Sequence, residues 1–118
     1  ATLRVDFGDR SDADAPLPEL RLSRDFRLRH ALGFRSAVLP EGSELSGLFS
    51  GRLVFSSNKR DLDFSVTLYE ELASGEVFEL ASWLQRASYA RDRVHRQLLQ
   101  PGRVHRLDFQ AQRLVSRR

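Results

Sequence analysis

The chain contains no cysteine. Disulfides, thiolate-bound zinc and a cysteine nucleophile are therefore excluded, and the redox compartment is left open. Lysine is nearly absent: Lys59 stands alone against eighteen arginines. No apolar run approaches the roughly 18 residues of a membrane-spanning helix. The first residues alternate polar and apolar, without the layout of a secretory signal. A Gly-x-Ser-x-Gly nucleophile turn is missing; Ser43 and Ser46 lie near Gly42 and Gly47, but at the wrong spacing. His30, His95 and His105 form no His-x-x-x-His pair and fit no zinc signature. Asp9, Asp12 and Asp14 lack the glycine and closing glutamate of a calcium loop. They read instead as an acidic, proline-bearing loop over residues 9–18. No catalytic, cofactor-binding or metal-binding residue is expected, and the chain alone is expected to catalyse nothing.

What remains is a 118-residue chain, 41% hydrophobic and 30% charged. That is the length of one domain and the composition of a globular one. The net charge is +3, and six of the basic residues fall between Arg86 and Arg106. A cationic stretch raises the possibility of a nucleic-acid patch. Sixteen carboxylates are interspersed with the arginines, however. Basic residues alternating with aromatics are also sparse, so a solvated, partly ion-paired surface is the stronger reading.

The dominant period is two. Leu3, Val5 and Phe7 alternate with Arg4 and Asp6. Phe64, Val66 and Leu68 alternate with Asp63, Ser65, Thr67 and Tyr69. Leu53 and Phe55 share a face of a short strand over 51–56. Residues 77–84 put Phe78, Leu80 and Leu84 together, and 104–109 alternate through His105, Leu107 and Phe109. Such alternation places apolar side chains on one face of each strand. Turn signals separate the runs at Pro40–Gly42, Ser57–Asn58, Ser74–Gly75 and Pro101–Gly102. The pattern predicts an antiparallel β-sandwich with Phe55, Phe64, Val66, Leu68, Phe78 and Leu80 in its core. Residues 84–99 fit neither period cleanly. They predict the end of a strand followed by a long ordered loop, with room for one helical turn.

Trp83 and Tyr89 are the aromatics best placed to recognise a ligand. They flank Arg86 and precede Arg91, Arg93 and Arg96. Two readings stand side by side: an aromatic platform for a sugar, and a tryptophan packed in the core or against a neighbouring domain.

Four stretches carry a resemblance. The first is Leu45-Ser46-Gly47-Leu48-Phe49-Ser50-Gly51-Arg52-Leu53. The second, within 58–70, is Asp61-Leu62-Asp63-Phe64-Ser65-Val66-Thr67-Leu68. The third, within 83–93, contains Arg86-Ala87-Ser88-Tyr89. The fourth, within 96–102, ends in Leu99-Gln100-Pro101-Gly102. In this order they resemble the C-terminal domain of the Xaa-Pro dipeptidyl-peptidase, cocaine esterase and glutaryl acylase family of serine hydrolases. Asp9-Arg10-Ser11-Asp12 and Phe34-Arg35-Ser36 fit more loosely. The resemblance implies a jelly-roll sandwich of galactose-binding-like kind over residues 1–118, truncated at its C-terminus. It also implies an α/β-hydrolase domain of the same polypeptide as partner, carrying the catalytic triad, and none of that triad maps onto this chain.

On that basis Trp83, Arg86, Tyr89, Arg91, Arg93 and Arg96 are the expected interdomain surface. Supporting the catalytic domain, with a share in walling its cleft, is the expected role. A carbohydrate-binding module and a basic nucleic-acid binder are the competing classes. The family's jelly roll continues beyond the position of Arg118, so an open strand edge and a homo-oligomer of the fragment are also expected.

Overall fold

The computed structural model of the chain describes residues 2–6, 8–9 and 31–117. Phe7, His30 and the acidic stretch around Asp12 and Asp14 lie outside the described residues, as do the side chains of Arg113, Arg117 and Arg118. Four strands form: β1 (Glu44–Ser56), β2 (Asp63–Glu71), β3 (Val77–Arg86) and β4 (Val104–Arg117). A single 3-10 turn, Ala87–Tyr89, follows β3, and no α-helix occurs among the described residues. The class is all-β, and every strand pairing is antiparallel.

The strands make two ribbons. β2 and β3 form a hairpin in which Phe64, Val66 and Leu68 face Gln85, Trp83 and Ala81. Its loop closes through Leu72 N–H to Glu76 C=O (2.8 Å) and Gly75 N–H to Leu72 C=O (2.9 Å). Gly75 takes φ 82° there, a left-handed conformation that glycine adopts without steric penalty. β1 and β4 pair across the hairpin, from Glu44 with Arg117 to Ser56 with Val104. The turn at Pro101 and Gly102 feeds β4, and Gly102 N–H bonds Ser57 C=O at 2.8 Å.

The ribbons meet along a run of rings. Phe49 lies edge-on to Phe109, which stacks on Trp83 at 5.0 Å. Trp83 meets Phe64 edge-on at 5.7 Å, Phe64 meets Phe55, and Phe55 stacks on His105. The run starts in β1–β4, crosses to β2–β3 and returns. Each favourable ring pair adds about 0.5–1.5 kcal/mol beyond its buried area. Gly51 is part of this arrangement, since a Cβ built on it would sit 2.7 Å from the Phe109 ring. A strand-edge glycine is thus also the space that Phe109 occupies.

The best-buried apolar residues are Ala87, Leu99 and Leu107, with Phe55, Leu62, Phe64 and Ala90 packed on them. Of the expected core, Phe55, Phe64, Val66, Leu68 and Leu80 are half-buried, but Phe78 is 41% exposed. Leu84, expected on the same face as Phe78 and Leu80, is 71% exposed. The odd positions of β3, 77, 79, 81, 83 and 85, are half-buried, so the even positions Phe78 and Leu84 fall on the exposed face. A bulge lies in the same strand: Leu68 pairs with Ala81 and Tyr69 with Glu79, so Leu80 has no ladder partner. Trp83, opposite Val66, takes the inner position, and Leu84, opposite Ser65, points outward. The alternating residues Leu3 and Val5 belong to no strand. Periodicity supplies a face, but a strand also needs a ladder partner, and residues 2–6 have none among the described residues.

Candidate functional site

Two carboxylates mark the start of β2, Asp63 at its first position and Asp61 two residues before it; Asp63 is occupied by the end of β3, and Asp61 by the residues that follow β3. Asp63 sits opposite Arg86 in the ladder, and the pair is bidentate, with Nε–Oδ1 2.8 Å and Nη2–Oδ2 3.0 Å. The fork geometry suits a guanidinium and a carboxylate. Arg86 holds the Asp63 carboxyl below its usual range and is itself raised.

Asp61 reaches inward from the residues just before β2. It accepts from Ser88 Oγ (2.7 Å), Ser88 N–H (3.0 Å), Leu62 N–H (3.0 Å) and Arg96 Nη2 (3.1 Å). Burial pushes this carboxyl up, but the donors outweigh it, Ser88 foremost, and its pKa ends below the ordinary value. Ser88 is the best-buried polar residue, only 1% exposed. A buried serine whose hydroxyl donates to a carboxylate is a structural tie. Substrate cannot reach it.

Backbone bonds tighten the same region. Ala87 N–H donates to Leu62 C=O, Leu99 N–H to Arg60 C=O, and Gln97 N–H to Ser88 C=O. Residues 60–62 are thereby gripped by residue 87 and residue 99 together. Within the loop, Asp92 accepts from the backbone N–H of Val94 (2.8 Å) and His95 (2.9 Å), and its other oxygen lies 3.0 Å from His95 Nδ1. Those bonds, led by the one from the His95 backbone, lower the Asp92 carboxyl. The long loop after β3 is therefore ordered by side chains, and its one helical turn is Ala87–Tyr89.

The six residues singled out from the sequence separate into four groups. Trp83 lies in the aromatic seam between the ribbons. Arg86 and Arg96 are consumed by Asp63 and Asp61, although both side chains remain more than half exposed. Tyr89 is half-buried in the 3-10 turn. Arg91 and Arg93 are exposed and have no carboxylate partner among the described residues. Sequence reasoning missed the tie between Asp61 and Ser88. Both residues lie inside quoted motifs, but nothing in period or composition links positions 27 residues apart. No group of three or more histidine, aspartate or glutamate side chains among the described residues is arranged to hold a metal ion.

The motif residues thus converge on one structural knot, in which Asp61, Asp63, Arg86, Ser88 and Leu99 all take part. The family model of the X-Pro dipeptidyl-peptidase C-terminal non-catalytic domain matches residues 10–115. The chain belongs to this family. No curated protein and no solved structure matches it significantly. The family's domain is non-catalytic, in keeping with a polar cluster that ties loop to strand.

Proposed function

We propose that this domain works as the accessory jelly roll of a serine hydrolase, stabilising the α/β-hydrolase domain of the same polypeptide and contributing to the wall of its cleft. The observation that carries the reading is the knot around Asp61, because it holds residues 87–99 in one shape while Arg91 and Arg93 have no carboxylate partner among the described residues. Ordered, unpaired guanidiniums suit bidentate pairing with carboxylates on a neighbouring surface. Two antiparallel ribbons joined by an aromatic seam are consistent with facing portions of two jelly-roll sheets. The carbohydrate reading loses its main support, since both neighbours of the Trp83 ring, Phe64 and Phe109, are core aromatics. The parent's reaction follows from family kinship: hydrolysis of an ester or amide.

The test is made in the full-length polypeptide. Exchanging Arg91 and Arg93 for glutamate should weaken domain docking and lower the melting temperature. An unchanged melting temperature would return these arginines to the role of solvated surface. A full-length sequence without a Gly-x-Ser-x-Gly hydrolase domain would defeat the reading as a whole.

A further inference from the structure

Beside the knot lies a groove of about 540 Å³, open between the loop after the 3-10 turn and the start of β4. Its deep side is formed by the buried core cluster. Arg91 and Arg103 both line it, and among the described residues no aspartate or glutamate does. The nearest acid in sequence, Asp92, is already committed to the backbone and ring of His95. Arg103 is steadied by Gln100, whose Oε1 accepts from its Nη1 at 2.6 Å, leaving the other guanidinium nitrogens available. Neither arginine has a carboxylate partner among the described residues. The groove also offers apolar surface, because Leu98 and Val104 line it and are 47% and 65% exposed.

We infer that this groove is a docking site for an acidic–apolar polypeptide segment, one in which a carboxylate side chain alternates with an aliphatic one. Two guanidiniums lining a trough with no carboxylate among its described residues attract an anion and offer it forked donors. Leu98 and Val104 cover apolar side chains next to that anion. A nucleic-acid strand fits less well: among the described lining residues the one aromatic ring, His105, is already stacked on Phe55 and is not free to stack a base. The inference deepens the accessory-domain reading by naming the chemistry of the partner surface, and it depends on that reading only for the source of the segment, the hydrolase domain.

The 118-residue chain, labelled for NMR, is titrated with a capped peptide of alternating aspartate and leucine. Amide shifts should concentrate at Arg91, Leu98 and Val104. Replacing both Arg91 and Arg103 with glutamine should weaken binding at least tenfold, and Lys59→Gln, at an exposed cation outside the groove, should leave it unchanged. Leu98→Asp, on an exposed rim position clear of the Asp61 knot, should weaken it similarly, which guards against misfolding of the double variant. Affinity should fall as salt rises. Equal binding of the asparagine–leucine peptide, shifts centred elsewhere, unchanged affinity in the variants, or tighter binding of a DNA duplex at the same salt would each overturn the inference. Failure here leaves the accessory reading intact through another surface. A full-length polypeptide with no hydrolase domain would instead defeat that reading and leave the peptide result standing.

Discussion

Asp61 is the residue on which most of the polar order depends. Removing its carboxylate leaves the Ser88 hydroxyl and amide without an acceptor at a site closed to water. Orphaning buried donors costs about 1–3 kcal/mol each, so Asp61→Ala should lose on the order of 3 kcal/mol in urea unfolding. Asp61→Asn keeps one acceptor oxygen and should lose less. The same carboxylate gives stability a pH dependence. Its folded pKa lies below that of the unfolded chain, about 3.9. The contribution is therefore complete above pH of roughly 4 and is lost as pH falls through the folded value. Asp63 and Asp108, lowered chiefly by Arg86 and Arg52, and Asp92 act in the same direction. Urea midpoints measured between pH 6 and pH 3 should fall less steeply for Asp61→Asn than for the parent. An identical slope would show that Asp61 contributes nothing to the acid limb. None of this was visible in composition. The Asp-x-Asp start of β2 and the Arg-Ala-Ser-Tyr stretch were legible as motifs, but the bonds that join them exist only once β2 and β3 are in register.

Among the elements, β2, the 104–109 part of β4 and the 51–56 part of β1 were legible, because period two runs through them. Leu53, Phe55, Phe64, Val66, Leu68, His105, Leu107 and Phe109 all sit inward as alternation requires. β3 was legible as a strand over 77–84, but its inner face was not: the odd positions are half-buried, and Phe78 and Leu84 are exposed. The consequence falls on Trp83, one of those odd positions, which stacks on Phe109. Trp83→Ala should therefore cost about 2–3 kcal/mol, below the roughly 3–5 kcal/mol of a fully buried tryptophan, because the ring is half-buried. Chemical denaturation gives the number directly. A variant of unaltered stability that lost binding on a glycan array would restore the sugar-platform role.

At the scale of the molecule, each ribbon has only two strands among the described residues. Val54 and Val104, 55% and 65% exposed, neighbour each other on the outer face of β1–β4, with Leu84 outward on the other ribbon. Unpaired edges template pairing with a second chain, and exposed apolar surface favours it. The chain in isolation should accordingly self-associate, most simply as a two-fold dimer. Sedimentation across a concentration series decides this, and the mass of one chain throughout would count against it. Class and family were legible at this scale because both rest on strands and motifs read locally. How the ribbons face one another was not, because six rings in a row are a property of packing.

The pairing of β1 with β4 also sets an order of events in time. Glu44 meets Arg117, so the first long strand has to wait for a partner that emerges almost at the end of the described chain. The β2–β3 hairpin closes over a few residues and can form while synthesis continues; closing β1 onto β4 means joining positions far apart, a slow step for any chain. During that interval β1 stands with its backbone uncovered. The ribosome-bound intermediate, more than the finished fold, is therefore where this domain is most exposed to misassembly and most dependent on whatever shields it.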